Sequence, residues 1–150
     1  MYMTTSFETK LKRVSIQSQF KGNAKPTQTS WKLLQNAENM TFDELMPLLG
    51  KTRKPVDKAC ICMSAAIKAT TVEQIAKLAI EISKSEQSNK IVNVIDTVYP
   101  DSKAVQLVAS EATQHFLARL NVRAGRKAME GAIHELSEEE SLALEICSIR

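Results

Sequence analysis

Apolar residues recur along this chain at the spacing of a helix. Val56, Ala59, Cys60, Met63 and Ile67 share one side of a helical wheel, and Val72, Ile75, Ala76, Ala79 and Ile82 share one side of the next. The segment from Lys90 to Tyr99 is rich in Ile and Val, but its polar positions Asn89, Asn93, Asp96 and Thr97 keep the helical period, so it is predicted to be helix. After Pro100 a long helix is expected to bury Val105, Val108, Ala109, Ala112, Phe116, Leu117 and Leu120 and to form the central element, with a break near Asn121 to Gly125. Ala128, Met129, Ala132, Ile133 and Leu136 begin another stripe. Leu142, Leu144, Ile146 and Ile149 give the last helix its apolar side.

Helix-start signals agree with this pattern. Thr41 stands three residues before Glu44, Thr70 three before Glu73 and Ser137 three before Glu140. In such a capping box the hydroxyl accepts from a first-turn amide while the carboxylate reaches back to the amide of the cap residue. Pro55 marks a fourth start, because a first-turn amide has no partner inside the helix and loses nothing when proline replaces it. The whole reads as six to eight helices.

Residues 1–29 behave differently. Phe7, Leu11, Val14, Ile16 and Phe20 do not hold one period, Gly22 and Pro26 interrupt the segment, and Val14, Ile16, Ser18 and Phe20 alternate as in a short strand. The sequence therefore predicts an all-α protein: a single compact multi-helix bundle over residues 30–150 with a basic, partly extended N-terminal arm over 1–29. Trp31 is expected to lie largely in the core. No helix pair repeats at the spacing of roughly 34 to 45 residues that a solenoid needs.

Composition narrows the picture without changing it. The 150 residues, 43% apolar and 25% charged, suit a soluble domain with one core, and 4 glycines and 4 prolines are too few for a turn-rich sandwich or barrel. Aromatics make up only 5%, so the core is aliphatic. No stretch approaches the roughly 18 apolar residues of a membrane span. The 3 cysteines, Cys60, Cys62 and Cys147, are an odd number behind an N-terminus without a secretory signal, so the expectation is reduced thiols in the cytoplasm.

Catalytic patterns are missing. The chain carries no phosphate-cradling glycine loop, no GxSxG and no HExxH, and its two histidines, His115 and His134, are far apart in sequence. Glu138 to Glu140 splay around a helix and read as a solvated first turn that favours the helix dipole. Cys60 and Cys62 sit two apart, pointing in different directions on a helix, which excludes a shared metal ion there. A helix-turn-helix over Glu73 to Ile95 fails because Ile80 occupies the turn position where glycine is usual. No cofactor, metal or small-molecule substrate is implied.

Charge carries the functional signal. Net charge is only +3, but from Met1 to Gln35 it is Lys10, Lys12, Arg13, Lys21, Lys25 and Lys32 against Glu8, and from Met129 onward six glutamates against Arg150. Three clusters could meet a phosphate backbone. The first is the arm with Lys10, Lys12, Arg13 and Lys21. The second is the turn Gly50 to Pro55 with Lys51, Arg53, Lys54 and Lys58 ahead of a helix N-terminus, where amides and dipole add to the cations. The third is a line at helical steps, His115, Arg119, Arg123 and Arg126, flanked by Lys127, whose guanidinium groups suit phosphate bidentately. The expectation is a small non-enzymatic subunit that binds RNA or DNA backbone with little sequence specificity, inside a larger complex. The competing expectation is a protein-interaction module, an adaptor, inhibitor or shell component, assembling through complementary basic and acidic ends.

Overall fold

The computed structural model describes residues 7–22, 25–131 and 133–148, and among them eight α-helices and no strand. They are α1 (Phe7–Gln19), α2 (Gln28–Ala37), α3 (Phe42–Lys51), α4 (Pro55–Lys68), α5 (Val72–Ser83), α6 (Ser88–Val98), α7 (Lys103–Met129) and α8 (Glu138–Ser148), with a 3-10 turn at Ile133–Glu135 between the last two. The all-α bundle expected from the periodicity is the architecture found.

The central helix is α4, not the long helix after Pro100. Every residue from Ala59 to Ala66 is buried, and α4 packs against α1, α2, α3, α5, α6 and α7. Its sequence explains this. Ala59, Cys60, Cys62, Ser64, Ala65 and Ala66 are small, so neighbouring helices approach closely on every side, and a helix that is apolar all round belongs inside. Reading only the stripe through Met63 and Ile67 misses it, and Ile67 is in fact 44% exposed.

Helix starts follow the capping signals with one shift of register. Thr41 and Glu44 form the box that opens α3, and Ser137 and Glu140 exchange the same pair of bonds ahead of α8. The box before α5 is Thr71 with Gln74 rather than Thr70 with Glu73. Gln74 Oε1 accepts from the amides of both Thr70 and Thr71. Val72 is consequently turned outward, 80% exposed, instead of joining the buried stripe.

Residues 7–19 correct the extended reading of the N-terminal segment. They form α1, which lies on α6 and α4 and buries Ser15, Ile16 and Lys12. The alternation at Val14, Ile16 and Phe20 is a helical face seen in part, since Ile16 and Phe20 are four apart and both are buried while Val14 is exposed. Residues 1–6, 23 and 24 of that segment lie outside the described residues. Trp31 is half-buried, packed against the core with Arg13 over its ring at 5.3 Å.

No break occurs at Asn121 to Gly125. Helix α7 runs through its 27 residues, about 40 Å at 1.5 Å per residue and nearly twice the length of the 14-residue α4. Its first half packs on α5 and α6 and its second half carries α8. Gly131, in the left-handed region at φ +76°, turns the chain back from α7 toward α8. Val105, Val108, Ala109, Ala112 and Leu120 are buried as expected, Phe116 and Leu117 are half-buried, and Met129 is 90% exposed rather than part of a new stripe. The side chains of Ile133, Leu144, Ile146 and Cys147, with residues 132, 149 and 150, lie outside the described residues.

Candidate nucleic-acid interface

Helix directions decide where the charges gather. At one end of the bundle Tyr99, just past α6, donates to Glu8 of α1 at 3.0 Å, Lys12 of α1 reaches Glu38 at 3.6 Å, and Lys68 at the end of α4 donates to the Glu38 carbonyl at 2.9 Å. The C-termini of α2, α4 and α6 therefore meet the N-terminus of α1. At the other end Ser30 of α2 donates to Asp57 of α4 at 2.6 Å, and Lys90 of α6 lies 5.8 Å from the centre of the Phe20 ring, just past α1. Three helix N-termini share that second end, and each carries the partial positive charge of its dipole.

The connections that feed those N-termini are basic. Lys21 and Lys25 lie between α1 and α2, Lys51, Arg53 and Lys54 between α3 and α4, and Lys84 between α5 and α6. All six are exposed, and among the described residues only Lys84 has an ion pair, with Glu81 at 2.9 Å. The α4 and α6 N-termini lack the N-cap side-chain bond present on α2, α3, α5 and α7; at α6 the Ser88 and Lys90 amides instead donate to the Ser85 carbonyl and to Asn89 Oδ1, and α4 opens on Pro55, which has no amide to cap. Lys25, Lys84 and Lys90 were not among the candidates read from the sequence. Lys25 figured there only in the basic excess of the first 35 residues, and Lys84 and Lys90 only through their position beside the turn Ser83 to Ser88.

The arginine line survives because α7 is unbroken. His115, Arg119, Arg123 and Arg126 lie along one shallow groove with Ala118 and Val122, and Arg123 pairs with exposed Glu86 at 3.2 Å, which fixes this half of α7 beside the α5 to α6 turn at the basic end. Arg119 and Arg126 are exposed and have no ion pair among the described residues.

Not every candidate reaches solvent. Lys12 is 3% exposed, held between Glu8 at 3.4 Å and Glu38 at 3.6 Å with its ammonium 5.9 Å from the centre of the Tyr99 ring, so it is a structural cation. Lys127 bonds the almost fully buried Glu140 at 2.7 Å and the Glu135 carbonyl at 3.3 Å, fastening α8 to α7. Both leave the phosphate-binding set for the same reason: each is drawn largely out of solvent by a carboxylate from another helix, whereas Arg123 and its partner Glu86 both stay exposed. Arg13 is half-buried on Trp31, Lys58 is half-buried in the first turn of α4, and Lys10 is exposed but at the opposite end of the bundle. The remaining candidates form two sets toward one end of the bundle, Lys21, Lys51, Arg53 and Lys54 in the connections ahead of α2 and α4, and Arg119, Arg123 and Arg126 along the half of α7 that Glu86 holds beside the α5 to α6 turn.

Shifted titrations mark the interior and the junction of α7 with α8. Burial pushes the Cys60 thiol up to about 12, with Asp57 nearby adding to the effect, and raises Cys62 further, so both stay protonated and unreactive at neutral pH. Burial, then the bond to Glu8, likewise raises Tyr99. The bond from Lys127, followed by the Ser137 amide, holds Glu140 below the ordinary glutamate value of 4.5. A depressed carboxylate contributes stability above its unfolded value and loses it as pH falls through the folded value. Acidification below 4.5 is thus expected to loosen α8 before the rest of the bundle, a change that amide NMR would follow as shifts confined to α8 and the end of α7. Lys127→Met should shrink this pH step, leaving only the part that the Ser137 bonds supply.

Among the described residues no group of His, Cys, Asp and Glu is arranged to hold a metal ion, and no helix is long and apolar enough to cross a membrane. The chain matches no known family, no curated protein and no solved structure.

Proposed function

We propose that the chain is a non-enzymatic helical subunit that binds the phosphate backbone of RNA or DNA, with little sequence preference, inside a larger complex in the cytoplasm. One observation carries the reading: the connections ahead of α2 and α4, with Lys21, Lys51, Arg53 and Lys54, and the Arg119 to Arg126 stretch of α7 lie toward the end of the bundle where three helix N-termini also point. Backbone contacts of this kind supply affinity through counterion release and leave base identity unread. The scarcity of exposed aromatic rings among the described residues supports phosphate contact over base stacking.

The test is binding of short single- and double-stranded DNA and RNA across several salt concentrations. Wild type should bind all of them with an affinity that falls steeply as salt rises. Arg119→Gln with Arg126→Gln should weaken binding to every sequence alike and flatten the plot of log affinity against log salt by about two units, roughly one per lost phosphate contact. Lys51→Gln, Arg53→Gln and Lys54→Gln together should do the same by about three. Absence of salt-sensitive affinity for any of these nucleic acids near physiological ionic strength ends the proposal and leaves protein assembly as the function.

A further inference from the structure

A second surface feature lies beyond the basic end. Between the first turn of α6, the middle of α7 and α8 is an apolar cleft of about 160 Å3, walled by Phe116, Leu117, Leu120 and Leu142. Ser88 lines it as well. That serine is 1% exposed, and its Oγ has no hydrogen-bond partner. Unfilled apolar space of ~150 Å3 is enough to take up a benzene ring from water, so the cleft has the size of one phenyl side chain. Glu139 stands on its rim, with exposed Glu138 beside it, and neither has an ion pair among the described residues.

The chain itself displays a matching group. Phe20, Phe42 and Tyr99 are buried, Trp31 is packed under Arg13 and Phe116 is a wall of the cleft, but Phe7 is 79% exposed. Lys10 and Val14 follow Phe7 at the spacing of one helix face; Lys10 is exposed without an ion pair among the described residues, and Val14 is 61% exposed. An aromatic ring beside a free lysine complements a phenyl-sized recess beside free glutamates. A chain cannot use its own ring. Phe7 sits at the end of the bundle where Glu8 meets Tyr99, and the cleft lies at the start of α6, about 16 Å away along that 11-residue helix.

We infer that the cleft is a socket for Phe7 of a second copy of this chain, with the incoming Lys10 beside Glu138 and Glu139. The contact joins two different surfaces, so it propagates head to tail rather than closing a two-fold dimer. It stands independently of nucleic-acid binding, because it is measured without nucleic acid. Sedimentation velocity of the full chain should show a mass that rises with protein concentration and falls with added salt, since the flanking charges are exposed. Phe7→Ala and Leu142→Lys change exposed positions; each should be monomeric with a melting curve like that of wild type. Mixed in equal amounts they should form dimers and nothing larger, because one partner retains the ring and the other the socket. Lys10→Glu should weaken association and Glu139→Lys in the same chain should restore it, which keeps the test decisive if a cleft variant folds poorly. A wild-type chain that stays monomeric throughout, a Phe7→Ala chain that associates like wild type, or a mixture of folded variants that stays monomeric would each overturn the proposal.

Discussion

Ile61→Ala is expected to lower the free energy of unfolding by about 2–5 kcal/mol, the range for removing a large aliphatic side chain from a well-packed core. Ile61 is fully buried at the middle of α4, where helices close in from several sides and cannot collapse into the space left behind. A typical domain is stable by only about 5–15 kcal/mol, so this single change takes away a large share. Ile67→Ala, the same substitution two turns along the same helix, removes a side chain that is 44% exposed and should cost well under half as much. Urea unfolding measures both, with midpoints moving and slopes unchanged if only stability is altered. Equal losses for the two variants would mean that α4 is not the helix around which the bundle is built.

The second large effect separates two lysines that look alike in sequence. Lys68 donates to the carbonyls of Ala37 at 3.0 Å and Glu38 at 2.9 Å and to that of Met40, closing the C-terminus of α2 and the turn after it. Carbonyls in the last turn of a helix have no partner within it, and a hydrogen bond from a charged donor contributes roughly 1.5–3 kcal/mol. Lys68→Met keeps the apolar stem and deletes the donor, so thermal unfolding should report a loss of about 2–3 kcal/mol. Lys12→Met should cost about 1 kcal/mol or less, although Lys12 is the more buried of the two. Its partners Glu8 and Glu38 are 56% and 37% exposed and return to water when released, and methionine fills the space without a charge to desolvate. The order reverses only if the contacts of Lys12, rather than those of Lys68, hold α1 and α2 together.

Much of the fold was legible in the sequence because local signals and packing agree. Thr41 with Glu44, Ser137 with Glu140 and Pro55 each open the helix their chemistry predicts. Where a local rule had two solutions, the sequence did not choose between them: Thr71 with Gln74 wins over Thr70 with Glu73 by satisfying an additional amide. The centrality of α4 was present as a run of small residues, but a search for one apolar stripe looks past a helix that has no polar side. For the candidate interface, spacing along α7 identified Arg119 and Arg126 correctly as a face. It could not tell that Lys127, one residue further, would meet Glu140 across a turn, or that Lys12 would lie between two glutamates from different helices. Such pairings depend on tertiary register, which no window of sequence contains. The same holds for the basic end. Its lysines come from connections far apart in the chain and are neighbours only because α2, α4 and α6 run in one direction.

The contiguous core stops at Ala112 on α7, and the buried residues beyond it, Leu120, Ala124 and Ala143, stand apart from that cluster. Among the described residues the second half of α7 is held to α8 by the Lys127 to Glu140 pair, a bond from Asn121 to the Ala143 carbonyl at 3.4 Å and the side chains of Leu120 and Leu142, and to the α5 to α6 turn by the Arg123 to Glu86 pair. Buried side chains that stand apart from a main cluster tie their helices to each other more than to the core, and segments of that kind are the first to open in hydrogen exchange. Arg119 and Arg126 thus stand on a part of the chain whose own contacts, separate from those that hold Lys51, Arg53 and Lys54, set where it lies.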